Sequence, residues 1–160
     1  MGFLPIIVAL LGFLLLWGIV NYYSIKQRRN EVKLAISEVF EASERRNEAL
    51  QLLIDADRRD KNQKEILHYI GKQLDRRKEG EVGISDKLRQ ENKVSDLIMD
   101  IPPQEEAPAY QTQFDEVQKA NKGYQMTARL FRNRSADYNE LISNYPSKLV
   151  ARISGQKPIP

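Results

Sequence analysis

The sequence predicts an all-α protein: an N-terminal transmembrane helix followed by an antiparallel helical bundle or coiled coil of about three helices. Three observations predict it. Phe3–Val20 is an apolar run without a charged side chain, whereas the rest of the chain is rich in Glu, Lys, Arg, Gln and Asn. Beyond that run the apolar residues recur in steps of three and four, the period of one helix face. Glycine and proline are scarce and gather at two places, which divides the remainder into long helices joined by short connections. The expected organisation is an anchor over 1–23, a bundle over 24–146 and a C-terminal tail over 147–160.

The first element is the apolar run, with Phe3, Leu4, Leu11, Trp17 and Val20 as membrane-facing residues. With Asn21, Tyr22 and Tyr23 added it rises roughly 27–31 Å as a helix, which matches a bilayer core. Trp17, Tyr22 and Tyr23 fall where an interfacial aromatic belt belongs. Pro5 lies in the first turn, where a missing N–H is harmless. A cleavable signal would have a basic leader, a shorter apolar stretch and a small-x-small cleavage site. Only Met1 and Gly2 precede this run, so the sequence points to an anchor. Lys26, Arg28, Arg29 and Lys33 crowd its C-terminal flank against Glu31 alone. By the positive-inside rule the bundle is expected on the cytoplasmic side of the membrane.

The second element is a helix expected from Tyr22 to about Lys78, because no proline or glycine interrupts it before Gly71. Its stripe is Ile25, Val32, Ile36, Val39, Leu50, Leu53, Leu67 and Leu74, interrupted by Ser43 and Arg46. Gly80 and Gly83 mark a turn, and a shorter helix is expected from about Ser85 to Met99. Pro102-Pro103 and Pro108 form a second connection.

The third long helix has the clearest pattern. From Tyr110 the steps alternate four and three through Phe114, Val117, Asn121, Tyr124, Ala128, Phe131, Ser135, Tyr138, Ile142 and Tyr145. Large residues alternate with smaller ones, as in packed helix seams. The tyrosines are expected to be core residues with hydroxyls at the bundle edge rather than a ligand ladder. Laid antiparallel on the first helix, this seam sets Tyr145 beside Ile25, Tyr138 near Val32, Phe131 near Val39 and Tyr124 near Arg46. Arg46 would then face an aromatic ring or Asn121, where a cation–π contact could satisfy it.

Composition removes several function classes. A net charge of +3 spread along the chain gives no nucleic-acid surface. The absence of cysteine removes disulfides, thiolate chemistry and Cys-based metal sites. His68 follows Glu65 by three, a spacing that binds metals in helical bundles, but no second histidine supplies a counterpart. It is expected to be solvated. The mixed charge runs Asp57–Lys61 and Asp75–Glu79 are expected to be solvated helix faces. No Gly-rich phosphate loop or Ser-His-Asp set is visible, so neither a catalytic site nor a cofactor is expected.

Two blocks of residues resemble the LemA family. Tyr22, Ile25, Arg29-Asn30, Val32, Ala35, Ser37, Val39 and Arg45-Arg46 are similar to the opening of that family's soluble domain. Tyr138-Asn139, Tyr145-Pro146-Ser147, Leu149-Val150-Ala151, Gly155, Lys157-Pro158 and Pro160 are similar to its closing pattern. Tyr23, Leu50 and Phe131-Arg132 depart from the pattern, as does the short middle of the chain, so the resemblance is to a divergent member. It implies a bacterial protein with one N-terminal membrane helix and an antiparallel bundle. It implies no enzyme activity.

In that arrangement the family-like residues gather at the membrane-proximal end. Tyr22, Arg29, Asn30, Arg45, Arg46, Tyr138, Asn139, Tyr145, Pro146, Gly155 and Pro158 are the candidate interaction residues. In the tail, Lys148, Arg152 and Lys157 stand beside Leu149, Val150 and Ile153. The apolar three are expected to cap the bundle, with docking on headgroups or on a membrane protein as the other use. The favoured function is a non-enzymatic interaction or scaffold module whose partners are the bilayer and another membrane protein. The alternative is a self-associating coiled coil with structural or sensor duties, in which Ser43, Arg46 and Asn121 set register.

Overall fold

The computed structural model describes residues 3–59, 65–76, 83–101 and 108–159, with side chains described for all of these except 57–59, 75, 76, 108 and 109. It is all-α. The helices are α1 (Leu4–Arg59), α2 (Glu65–Arg76), α3 (Ile84–Met99), α4 (Pro108–Ser143) and α5 (Ser147–Ile153). The expected Pro102-Pro103 connection, most of the Glu79–Gly83 turn, and the Asp57–Lys61 and Asp75–Glu79 charge runs lie outside the described residues or side chains. The chain divides into two compact units. Unit 1 joins Met1–Ile36 to Leu130–Pro160, and unit 2 is Ser37–Arg129.

The expectation of one helix from Tyr22 to Lys78 is corrected. A Cβ built on Gly71 would lie 3.6 Å from Ile54 Cδ1. Seventeen residues of straight helix would separate the two by roughly 25 Å. The chain therefore reverses, and α2 packs back on α1 as a helix of its own. Its first turn carries Glu65, a carboxylate at the positive end of the helix dipole. The interior of unit 2 is one cluster built from Leu50, Leu53 and Ile54 of α1, Leu67 and Ile70 of α2, Val94 and Ile98 of α3 with Ile101 just beyond it, and Tyr110, Phe114 and Val117 of α4. Four helices thus contribute, one more than expected. His68 is exposed on α2, as expected.

α4 begins at Pro108, where the absent N–H is one that a first turn leaves unbonded anyway. Its seam is buried at every expected position from Tyr110 to Ile142. The eleventh member fails: α4 ends at Ser143, and Tyr145 is 71% exposed. On α1 the expected Ile25, Val32, Val39, Leu50 and Leu53 are buried, and Ala35 and Ile54 join them. Within each unit α4 runs antiparallel to α1. In unit 1 Arg134 Nη1 donates to the Glu31 carbonyl at 3.4 Å. In unit 2 the Arg46 guanidinium lies 4.3 Å from the Tyr124 ring centroid, the cation–π contact the register predicted.

α1 is also the one helix, among the described residues, long and apolar enough to cross a membrane. Its apolar stretch touches little of the chain. Phe3, Leu4, Ile6 through Val8, Leu10, Leu11 and Phe13 through Leu16 are all exposed, so this surface is covered by none of the described residues.

Candidate functional site: the tail clasp of unit 1

The tail returns along the start of α1 through α5, a short helix with a defined stop. Gly155 has φ of +67°, a left-handed conformation that a side chain disfavours. That lets Gln156 N–H reach the Ala151 carbonyl (2.9 Å) and Gly155 N–H reach that of Arg152 (3.4 Å). This is the paired closure of a Schellman motif, with glycine at its usual place. The turn directs residues 156–159 back across α4.

Three side chains hold those residues. Asn139 uses both ends of its amide: Nδ2 donates to the Ile159 carbonyl at 2.7 Å, and Oδ1 accepts the Ile159 N–H at 2.9 Å. It treats the tail as a β-ladder treats a neighbouring strand. The Tyr138 hydroxyl is within 3.3 Å of the Lys157 carbonyl and 3.4 Å of Gln156 Oε1. Arg29 Nη1 donates to the same Gln156 oxygen at 3.0 Å. At the other end of α5, Ser147 Oγ donates to Asn21 Oδ1 at 3.0 Å, while Asn21 Nδ2 donates to the Trp17 carbonyl at 2.9 Å. The tail is therefore fixed at both ends to the first turns that follow the apolar run.

Burial raises the Tyr138 pKa above its usual 10.0, partly offset by the positive charge of Arg29. The phenol stays a proton donor through the neutral range, as a bond to two oxygens requires. Amides, a phenol and a guanidinium make a site suited to holding backbone in place. Beside it, a cleft of about 560 Å³ opens between Ser24 and Arg28 of α1 and Asp137 and Glu140 of α4, with Asn144 and Tyr145 just beyond α4 at its edge.

The candidate residues from the sequence separate into three groups. Arg29, Tyr138, Asn139 and Gly155 converge on the clasp. Tyr22, Asn30, Tyr145 and Pro158 belong to unit 1 and are exposed, and Pro146 follows Tyr145 through a cis peptide bond. Arg45 and Arg46 belong to unit 2 and face opposite ways. Arg45 is exposed and pairs with Glu41. Arg46 is wholly buried, pairs with buried Glu91, and also donates to the Glu91 carbonyl (3.1 Å) and to Asn47 Oδ1.

Sequence reasoning missed Asn21, Glu91, Ser147 and Gln156. Only Glu91 left a signal: it occupies the stripe that Val94 and Ile98 continue on α3, just as Arg46 interrupts the stripe of α1. Two opposite charges, each set in an apolar face, are a pair waiting to be matched. The expected cap of Leu149, Val150 and Ile153 is corrected as well. Leu149 and Ile153 point outward, and Ser147 and Ala151 take the buried face of α5. No protein-family model, curated protein or solved structure matches this chain.

Proposed function

We propose that this chain is a single-pass bacterial membrane protein, a divergent relative of the LemA family. In this reading its helical domain is a non-enzymatic interaction module held against the cytoplasmic face. One observation carries the proposal: the exposed apolar stretch of α1 leads directly into the residues that fix the tail, so the ordered polar surface begins where the bilayer would end. The convergence of Arg29, Tyr138, Asn139 and Gly155, drawn from both family-like blocks, supports the kinship. The basic flank Lys26, Arg28, Arg29 and Lys33 supports the cytoplasmic side.

The self-associating alternative draws less support. Ser43, Arg46 and Asn121, which would set the register of a self-pair, are already buried inside unit 2. Asn121 Nδ2 donates to the Ser95 carbonyl at 3.1 Å, and Arg46 is committed to Glu91. Cross-linking of the full chain in native membranes tests the choice. The expected product is a hetero-complex; a self-dimer alone would replace the proposal with the alternative. Release of the protein by alkaline carbonate would remove the anchor. Met126 is well exposed and the chain has no cysteine, so Met126→Cys reports sidedness. A thiol reagent that cannot cross membranes should label it only after the cells are opened.

A further inference from the structure

We propose that α5 is an interfacial helix whose Leu149–Ile153 stripe rests on the headgroup layer of an anionic phospholipid surface, with Lys148 and Arg152 beside it as phosphate contacts. The inference builds on the reading of Phe3–Val20 as a membrane span and adds a second, independent membrane contact.

The faces of α5 are the first ground. Ser147 and Ala151, four apart, are buried against unit 1, with Val150 partly covered between them. At 100° per residue, the opposite face carries two parallel stripes, Leu149 with Ile153 and Lys148 with Arg152. Leu149 is 48% exposed and Ile153 88% exposed. Apolar residues that fold inward need no further explanation. These two point away from the interior of unit 1, next to paired cations, which is the composition of a helix at a charged interface.

Position is the second ground. Ser147 is bonded to Asn21, the residue after Val20, and Gln156 is bonded to Arg29. α5 therefore occupies the interval of α1 between Asn21 and Arg29, about 12 Å of helix rise beyond the apolar run. The headgroup layer of one leaflet is about 5–8 Å thick, so the N-terminal turn of α5 lies within it and the last turn stands just past its outer edge, from where the Ile153 side chain reaches the headgroups. Tyr145, 71% exposed immediately before α5, adds an amphipathic ring at the same level. The outward stripe thus continues the apolar surface of α1 into the layer where Lys and Arg meet lipid phosphate.

The absence of cysteine makes the test clean. Leu149→Cys, Ile153→Cys, Leu11→Cys and Met126→Cys in the full-length protein each take one environment-sensitive fluorophore, all at exposed positions where a label disturbs no packing. The proteins are reconstituted into phosphatidylethanolamine–phosphatidylglycerol vesicles carrying nitroxides either on the headgroup or deep in the acyl chain. The expected result is deep quenching at 11 and headgroup quenching at 149 and 153 at least about twofold above that at 126. Lys148→Ala/Arg152→Ala, or vesicles of phosphatidylcholine alone, should lower the signal at 149 and 153 by roughly half or more while leaving 11 unchanged.

Quenching at 11 with labels at 149 and 153 indistinguishable from 126 would overturn the interfacial helix and leave the span standing. No quenching at 11 would remove the span and this inference with it. Labels at 149 and 153 shielded from aqueous quencher without lipid quenching would assign that face to a protein and overturn the proposal.

Discussion

The two units are held by different kinds of force. Unit 2 closes around a contiguous apolar cluster from four helices and encloses an ion pair, Arg46–Glu91. Unit 1 buries no charged side chain among the described residues. Its buried polar side chains are those of Ser135 and Ser147, and its tail hangs on amide and phenol contacts and one exposed guanidinium, that of Arg29. Within a buried ion pair the opposite charge sits on a single carboxylate, so its removal is felt at once. A clasp of separate hydrogen bonds, each contributing about 1 kcal/mol, loosens by degrees. Unit 2 should therefore fail abruptly under single substitutions and unit 1 gradually.

The sharpest way to break this contrast is Glu91→Ala. It takes the neutralising carboxylate from a wholly buried guanidinium, and the expected loss is about 3–5 kcal/mol, measured by denaturant unfolding in detergent with hydrogen exchange to localise it to unit 2. Replacing both partners by apolar residues, Arg46→Met with Glu91→Leu, should recover most of that loss. If the double variant is as unstable as the single one, the ion pair is more than a neutralised charge. Leu53→Ala probes the apolar half of the same unit. With Leu53 fully buried in the cluster, the cavity should cost about 2–5 kcal/mol in the same assay.

Unit 1 should respond more mildly. Asn139→Ala deletes both bonds to Ile159, and about 1–3 kcal/mol of local stability should go with them. Its signature is faster trypsin cleavage after Arg152 with no change in hydrogen exchange around Leu53. A global loss of protection would mean that the two regions do not respond separately.

The smallest expected effect is a pH dependence. From about pH 10.0 an unfolded chain begins to release the phenol proton of Tyr138, while the folded clasp, with its raised pKa, still retains it. Ionisation then favours the unfolded chain. The stability is complete below 10.0 and is lost as pH rises through the folded value. Tyr138→Phe should remove that part of the alkaline slope, and absorbance titration of the variant should lack one late-ionising phenol that the parent protein shows.

How much of this was legible in the sequence depended on whether an interaction repeats. The α4 seam repeats every turn, so ten of its positions were found, from Tyr110 to Ile142, and with them the Arg46–Tyr124 contact. The same periodicity misled at α2. A reversed helix has the same period as one that continues, so Leu67 and Leu74 extended the stripe of Leu50 and Leu53 in phase while the chain had turned back. Period carries no sign of direction. Glu91 was missed because α3 had been given no register against α1. The clasp is non-local and occurs once: Asn139 reaches Ile159 over 20 residues, and Ser147 reaches Asn21 over 126. Gly155 was visible as a residue, but its work, ending α5 so that the tail can return, needed the helix before it to be known.

In α1 the apolar stretch and the face packed in unit 1 belong to one helix. After Gly18 no glycine or proline occurs before its end, and the helix runs unbroken from Leu4 through the buried Ile25, Val32 and Ala35. There is no swivel between the apolar stretch and the face that packs in unit 1. The azimuth of one sets the azimuth of the other at 100° per residue. A neighbour travelling in the plane of a bilayer would meet the same side of the anchoring segment whenever it met the same side of unit 1. Recognition within a lipid sheet would then be keyed, with one bearing for every encounter.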